Sequence, residues 1–243
     1  MKKLISTLVL IFTALFLVGC SCTTTTTTTD TADTAGKTSS NQSSTPATSE
    51  EAVLANEVLA LETFSSGLGA WYEETWYAKK SSGGEVVASD DGLTFKGVQS
   101  NSRSGVMLDL NRDVSEFEKL NLKVIIEADI QTLEGTGFQG REAPVAIAVS
   151  YQGVDGSEHT SLGEDPNAAG QMFWRGFYYL DPTGDQSGII NGVKVSQGQP
   201  YTFKFDLMSL NPKPQKIYFV ALEGAGWKER EGKVSSISIV GEK

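Results

Sequence analysis

Apolar and polar residues alternate along most of the chain after residue 57. The longest alternation runs from Leu120 to Ile130, where an apolar side chain occupies every second position. The same period of two recurs over 106–110, 145–151 and 201–207. Strict alternation indicates a β-strand that turns one face toward a core and the other toward solvent.

Shorter apolar stretches predict further strands. They lie at 58–64, 71–78, 93–97, 173–180, 192–195, 216–222 and 234–240. Clusters of Gly, Asn, Asp and Pro separate them, as at 181–185 and 211–214. About ten strands with almost no helix predict an all-β fold, an antiparallel β-sandwich (jelly roll) that spans residues 51–243 as one domain. A short helix is expected only at 52–57, because the polar residues 48–51 can cap it.

The first residues of the chain follow a different pattern. Lys2 and Lys3 precede an uncharged apolar run, Leu4 to Val18. This run is shorter than the roughly twenty residues that a membrane-spanning helix needs, and a secretory signal fits it better. Its end, Leu17-Val18-Gly19-Cys20, resembles the lipobox of bacterial lipoproteins. The resemblance implies a signal peptide at 1–19, cleavage before Cys20, and a diacylglycerol and further acyl chains such as palmitate on Cys20.

The lipoprotein resemblance also implies a location. The mature protein would be lipid-anchored in the bacterial cell envelope, with its domain outside the cytoplasm. Ser21, rather than Asp, follows the cysteine, which implies the outer membrane if the host is Gram-negative. Residues 20–50 would then form the acylated Cys and a Thr/Ser-rich tether, since the segment contains an unbroken run from Thr23 to Thr29 and lacks aromatic residues. A flexible chain of this length spans about 30 Å. Whether this spacer carries O-linked glycans or has no specific role stays open.

Charge and cysteine content exclude several classes of function. The formal net charge is −10, and loss of Lys2 and Lys3 would make it more negative. Such a chain is a poor ligand for nucleic acid or for anionic lipid. Cys20 and Cys22 are the only cysteines, so no disulfide is expected in the domain. The sequence contains no His/Cys spacing typical of zinc sites and no phosphate or dinucleotide loop, so no metal or cofactor is expected.

Two patterns raise the question of catalysis. The only histidine, His159, lies in a polar stretch without a nucleophile motif, and a solvated loop histidine is expected there. Glu127, Asp129 and Gln131 are predicted to share one strand face, and they resemble the Glu-x-Asp-x-Glu signature of laminarinase-type retaining glycosidases. Those enzymes need two carboxylates about 5–5.5 Å apart, and Gln131 cannot exchange a proton. We therefore predict a protein that is not an enzyme, with a degenerate glycosidase as a lesser alternative.

A second resemblance concerns the domain. An acidic-Phe segment at 61–64 leads to Gly67, Gly69 and Trp71, a hairpin-like stretch lies at 92–97, and two strands at 216–219 and 234–240 close the domain. These features resemble the galactose-binding-domain-like jelly rolls, the fold of many carbohydrate-binding modules. The resemblance implies a carbohydrate ligand. Relatives often bind structural calcium through an Asp in the last strand, but this strand has serines there, so calcium lacks support.

Aromatic and polar residues supply the candidate ligand-binding set, because sugar rings stack on aromatics while fixed polar groups select their hydroxyls. The candidates are Trp71, Trp76, Glu127, Asp129, Trp174, Arg175, Tyr179 and Trp227. Tryptophan in a sandwich can equally be a core residue, least so for Trp227 in its Gly-rich loop. On the strand 173–179 we expect the face of Arg175, Phe173, Phe177 and Tyr179 to be open.

The polar candidates have distinct expected roles. Arg175 could hydrogen-bond hydroxyls or pair with a uronate carboxylate. The face of Glu127 and Asp129, with Ala146, Ala148 and Ser150 alongside, could form the floor of a groove. A different class of function, a structural or assembly lipoprotein whose β-sandwich docks an envelope protein partner, also fits the sequence.

Overall fold

A computed structural model describes residues 56–74, 84–97, 102–131, 143–162, 168–181, 191–226 and 229–243. Within these ranges the chain forms strands and one short 3-10 helix, and no α-helix. Accordingly, no helix with the length and apolar character of a membrane span occurs in the described residues. Cys20, the signal and tether segments, Trp76 and Trp227 lie outside the described residues, so the predictions made for them stay predictions.

Thirteen strands and the helix η1 make up the described structure. In chain order they are β1(Asn56–Glu62), β2(Tyr72–Glu73), β3(Gly84–Ser89), β4(Gly92–Gly97), β5(Ser102–Asp113), β6(Lys119–Gln131), β7(Val145–Gly153), β8(Glu158–His159), β9(Phe173–Tyr178), β10(Gly192–Lys194), β11(Tyr201–Asp206), η1(Leu207–Ser209), β12(Pro214–Gly226) and β13(Arg230–Glu242). Ten of them have six or more residues, close to the number predicted.

The strands form two sheets. Sheet A has the order β11-β6-β13-β4-β3, with β1 also paired to β13, and sheet B has the order β10-β9-β7-β12-β5-β2, with β8 also paired to β7. All strand pairs are antiparallel except β9 with β10. The predicted all-β class, an antiparallel β-sandwich (jelly roll), is confirmed.

Alternation explains how the sheets pack. On β6 the side chains of Leu122, Val124 and Ile126 are buried, whereas Lys123 between them is exposed. They meet inward residues of sheet B such as Ile147 and Leu222 in one shared core. Each fully buried side chain of this size contributes about 1.5–3 kcal/mol to folding, so a long alternating strand is a strong determinant of the sandwich.

The prediction of a helix at 52–57 is wrong for residues 56 and 57, the two that the structure describes. Asn56 and Glu57 belong to β1 and pair with Glu242 and Gly241 of β13. Pairing with β13 satisfies the backbone groups of these residues that a helix would otherwise satisfy. Residues 52–55 lie outside the described ranges.

Candidate functional site

One row of side chains crosses the outer face of sheet B. The strand register places Trp174 of β9 opposite Ala148 of β7, Ala148 opposite Ala221 of β12, Ala221 opposite Met107 of β5, and Met107 opposite Tyr72 of β2. Aromatic residues therefore stand at both ends of the row, and two alanines lie at its centre. Four strand spacings of about 4.8 Å separate the two aromatic positions.

The row is part of an apolar cluster distinct from the core between the sheets. Its buried members are Met107, Ala146, Ala148, Met172, Trp174 and Ala221, and the partly buried Leu162, Tyr178 and Phe219 pack against them. Trp174 is only 2% exposed, and a Cβ built on Gly176 would collide with its indole ring. The indole therefore lies over a position that has no side chain.

A buried carboxylate lies one row away from the alanines. Glu223 is 2% exposed and sits opposite Ala146 and Gly105, which leave room for it. Its Oε1 lies 3.3 Å from Nη1 of Arg103, while its Oε2 has no hydrogen-bond partner. Burial raises the pKa of Glu223 to about 7, although the charges of Arg103 and Arg230 oppose that rise. An unsatisfied buried acceptor costs about 1–3 kcal/mol, which a ligand hydroxyl could recover.

A second unsatisfied group lies at the other end of this surface. Ser150 is fully buried, opposite Phe219, and its Oγ has no hydrogen-bond partner. Ser150 is four residues from Ala146 on β7, a distance of about 13 Å along the strand. Ala148 and Ala221 form what we call the alanine floor. Glu223 and Ser150 thus lie beyond its two ends along the strand direction, whereas Trp174 and Met107 lie on either side of it across the strands.

The edge of this surface near β2, which we call the Tyr72 rim, is exposed to solvent. Tyr72 is 38% exposed, and its hydroxyl donates a hydrogen bond of 3.1 Å to Oδ1 of Asp109. Partial burial, followed by this hydrogen bond, raises the pKa of Tyr72. Asp109 is an outward residue of β5 opposite Phe219. An aromatic ring beside an oriented carboxylate is the kind of polar and apolar pair that sugar recognition uses.

The two described tryptophans differ in position. Trp71 is 5% exposed and packs edge-on against Phe64, with ring centroids 5.6 Å apart, in the core between the sheets. Trp71 therefore belongs to the core and not to the outer face of sheet B. Trp174 belongs to the outer face of sheet B but is buried there, so a ligand could reach its ring only if neighbouring side chains moved.

The expectation that the Arg175 face of β9 is open is wrong. Phe173 and Phe177 are buried because β9 lies against β11, whose Phe205 ring is 4.8 Å from that of Phe173. The Arg175 guanidinium lies 4.7 Å from the Phe173 ring centroid, and Nη1 donates to the Trp174 carbonyl oxygen at 2.8 Å. Burial lowers the pKa of Arg175.

Tyr179 joins the two sheets. Its hydroxyl accepts a hydrogen bond of 2.8 Å from the Gln131 backbone N–H, and its own N–H donates to Oε1 of Gln131 at 3.0 Å. The Gln131 amide also accepts from the N–H of Leu180 and donates to the carbonyl oxygen of Leu180. These contacts give Tyr179 and Gln131 a structural role at one end of the sandwich.

The prediction that Glu127, Asp129 and Gln131 share one face is wrong. The pairing of β6 with β13 shifts register between Glu231 and Gly232, and this bulge turns Gln131 inward, where it is buried. Glu127 and Asp129 stay on the outer face of sheet A, where burial, and then a hydrogen bond and repulsion from Glu127, raise the pKa of Asp129 to about 6. The glycosidase-like pattern is thus broken by backbone geometry as well as by residue type.

The residues that were predicted to form one groove floor lie on two different sheets. Ala146, Ala148 and Ser150 share one outer face, as predicted, but they lie on β7 of sheet B. Glu127 and Asp129 lie on β6 of sheet A. The carboxylate next to these small residues is Glu223, which the sequence analysis did not single out. In the sequence, Glu223 could have been found as a charged residue that directly follows the apolar run of β12 and has small outward-facing neighbours.

Sheet A carries a shallow groove of its own. It has a volume of about 460 Å³ and is lined by residues of β6, β11 and β13, among them Lys123, Lys204, Asp206 and Ser238. Lys123 and Lys204 lie directly opposite each other. This groove therefore presents two facing cations.

His159 is not the solvated loop residue that was expected. It belongs to β8, and its ring stacks on that of Tyr151 with centroids 4.4 Å apart. Nε2 lies 3.0 Å from Ser157 Oγ, and Nδ1 lies 2.9 Å from the Gln171 carbonyl oxygen. Ser157 Oγ also lies 2.6 Å from Oδ1 of Asp155.

This serine–histidine contact belongs to the turn between β7 and β8. The Ser157 N–H, a backbone donor beside this serine, already donates to Asp155 Oδ1 at 3.0 Å. The geometry is that of an Asx turn capped by an imidazole. Among the described residues, no group of three or more His, Cys, Asp or Glu side chains is placed to hold a metal ion.

Comparisons with known proteins give structural likenesses only. No protein-family model matches the sequence, and a search of curated proteins finds no match. A xylan-binding module of family 15 is similar at 12% identity and a TM-score of 0.39, over 77% of this chain and 97% of that one. A family 11 carbohydrate-binding module of a cellulosomal cellulase from Clostridium thermocellum is similar at 14% identity and a TM-score of 0.39, over 78% and 96%. At these TM-scores we transfer no ligand or activity from either protein.

Proposed function

We propose that this protein is an envelope lipoprotein whose β-sandwich binds a carbohydrate, without catalysis, on the outer face of sheet B. The observation that carries the proposal is the alanine floor of Ala148 and Ala221, with Trp174 and Met107 at its sides and Glu223 and Ser150 at its ends. The lipobox-like end of the apolar run at Cys20 supports the anchor.

The chemistry of a sugar suits this surface. The C–H faces of a pyranose ring are apolar and pack on aromatic and alanine side chains, while its hydroxyls both donate and accept hydrogen bonds. Glu223 Oε2 and Ser150 Oγ are buried without a hydrogen-bond partner. Once neighbouring side chains move, Glu223 Oε2 can accept from such hydroxyls, and the Ser150 hydroxyl can both accept and donate. Their separation of about 13 Å along β7 suits an oligosaccharide that lies along the strands better than a single sugar.

Calorimetric titration of the full chain with soluble xylan, β-glucan and mannan oligosaccharides tests this proposal. The discriminating variants are two tyrosines, one on the outer face of sheet B and one on β11 of sheet A. Tyr178→Ala removes an outward ring of β9 that packs on the cluster of sheet B, and we expect at least a tenfold loss of affinity. Tyr201→Ala removes a partly exposed ring of β11 that lies 6.2 Å from the ring of the inward Phe177, away from the outer face of sheet B, and should leave affinity unchanged. Equal losses in both variants, or no binding to any oligosaccharide by a folded protein, would refute the proposal.

A second candidate function, docking of an envelope protein, is favoured by one feature of sheet A. Among the described strands β1 pairs only with β13, and its Val58 and Leu61 side chains are 58% and 69% exposed. An edge strand with exposed aliphatic side chains can accept a strand from another protein. Capture of one stoichiometric envelope protein that is lost in the Val58→Lys, Leu61→Lys variant would place this function first.

A further inference from the structure

Three arginines near sheet B contact groups within the protein, although Nη1 of the buried Arg230 has no hydrogen-bond partner. Arg103 pairs with Glu223 at 3.3 Å. Arg175 donates to the Trp174 carbonyl oxygen, and its guanidinium lies over the Phe173 ring. Arg230 donates to the Ser102 carbonyl oxygen at 3.3 Å and to Ser104 Oγ at 3.0 Å. Recognition of a carboxylate normally uses an arginine fork with two free N–H groups. Each of these guanidiniums instead has a protein group in contact.

Arg230 does not reach the outer face. It belongs to β13 of sheet A, and a Cβ built on Gly224 of sheet B would collide with its Nη1. Gly224 follows the inward Leu222 with the outward Glu223 between them. The Arg230 side chain therefore lies between the sheets, and the backbone of β12 separates it from the outer face.

The outer face of sheet B carries carboxylate oxygens, which only accept hydrogen bonds when ionised. Glu223 Oε2 is buried and has no hydrogen-bond partner. Asp109 adds a second carboxylate at the Tyr72 rim, on the same face. An uncharged hydroxyl satisfies these acceptors by donation, whereas a ligand carboxylate would meet like charge in a poorly solvated site, where such repulsion is strong.

We infer that this face selects uncharged, hydroxyl-bearing sugars and rejects carboxylate-bearing sugars, and that Glu223 is the residue that sets this selectivity. The inference rests on the proposed function, since it concerns the ligand of the same face. It replaces the expectation that Arg175 pairs with a uronate, because the Arg175 guanidinium is occupied.

The test compares two oligosaccharide classes of equal length by calorimetry at pH 8 with the full chain. Neutral xylo- and gluco-oligosaccharides should bind at least tenfold more tightly than oligogalacturonates. Glu223→Gln should weaken neutral binding by about tenfold, the loss expected when a charge-assisted hydrogen bond becomes a neutral one, and should strengthen oligogalacturonate binding, because the variant removes the negative charge that repels a ligand carboxylate. Glu85→Gln, the same charge change at an exposed position of β3, is the matched control and should alter neither.

The outcomes separate the two claims. A wild-type protein that binds no sugar of either class refutes the proposed function and the inference with it. Oligogalacturonate binding as tight as neutral binding overturns the inference alone. Comparison of neutral and oligogalacturonate affinities in the wild-type protein tests the selectivity even if Glu223→Gln fails to fold. The same comparison is repeated in Lys204→Gln, which removes one of the two facing lysines of the groove on sheet A. A uronate that binds in that groove is then not assigned to sheet B.

Discussion

Gly224 of β12 lies against the guanidinium of Arg230 of β13. Sheet B therefore lacks a side chain at the position where sheet A places a buried cation between the sheets. Arg230 is 3% exposed, and burial lowers its pKa to about 10. A Cβ on Gly224 would collide with Arg230 Nη1 and lie 2.7 Å from the Pro144 carbonyl oxygen. The two residues fix the spacing of the sheets at this end of the sandwich.

Gly224→Ala should therefore destabilise the protein. Neither the backbone of Pro144 nor the anchored Arg230 can move easily, and overpacking of this kind costs roughly 1–3 kcal/mol. Chemical denaturation measures the change in the free energy of unfolding. Ser236→Ala, a half-buried surface position of β13, is the control and should change stability little. A Gly224→Ala protein as stable as the wild type would contradict the close contact.

The buried carboxyl of Glu223 should make stability depend on pH. Its pKa rises from 4.5 to about 7 on folding, mainly through burial. A raised pKa means that the folded state binds the proton more tightly, so this stabilisation is present below pH 4.5 and is lost as the pH rises through about 7. Integrated over this shift, the loss amounts to about 3 kcal/mol.

Comparison of the wild type with Glu223→Gln isolates this effect, since glutamine has nearly the same shape and does not titrate. The difference in unfolding free energy between the two proteins should shift in favour of the variant as the pH is raised from 5 to 8. Denaturant titrations at several pH values provide the measurement. A difference that stays constant over this range would show that Glu223 is not held neutral by burial.

Gln131 offers a test of the glycosidase alternative. Its side-chain N–H donates to the Leu180 carbonyl oxygen, and its Oε1 accepts from the N–H groups of Tyr179 and Leu180. Gln131→Glu restores the carboxylate of the glycosidase signature, but it replaces that donor with an oxygen that faces a carbonyl oxygen. We expect lower stability, by roughly 1–3 kcal/mol, and no hydrolysis of β-glucan.

Thermal unfolding and a reducing-sugar assay check both parts of this prediction. Gln131→Met, which removes the hydrogen bonds without adding charge, is the control for loss of stability alone. Turnover of β-glucan by Gln131→Glu that disappears when Glu127→Gln is added would revive the glycosidase hypothesis, because it would require both carboxylates to face one substrate.

Sequence alternation predicted the strands well because a period of two directly records which side chains face the core. It gave the correct face for Leu122 and Lys123 on β6. It failed at Gln131, because a bulge adds one residue and reverses the face, and no local pattern announces that shift. It also failed on β9, where both faces are aromatic. Only the position of β11, which is remote in sequence, decides that Phe173 and Phe177 are covered.

The candidate site could be predicted only in pieces. Ala146, Ala148 and Ser150 were recognised as small outward residues of one strand. Their neighbours Ala221 and Glu223 come from a strand more than seventy residues later in the chain, and the register that brings them together is set by the whole of sheet B. Trp174 was recognised by its residue type, but its burial follows from Gly176 and from packing that alternation does not describe.

Alanine-methyl NMR of the full chain, titrated with a neutral oligosaccharide, tests the central claim most directly. Ala146, Ala148 and Ala221 report the outer face of sheet B, while Ala60 and Ala128 report the core and sheet A. We expect saturable shifts of the first three methyl resonances with one dissociation constant and no change in the other two. Saturable binding that leaves Ala146, Ala148 and Ala221 unshifted would contradict a carbohydrate site on this face.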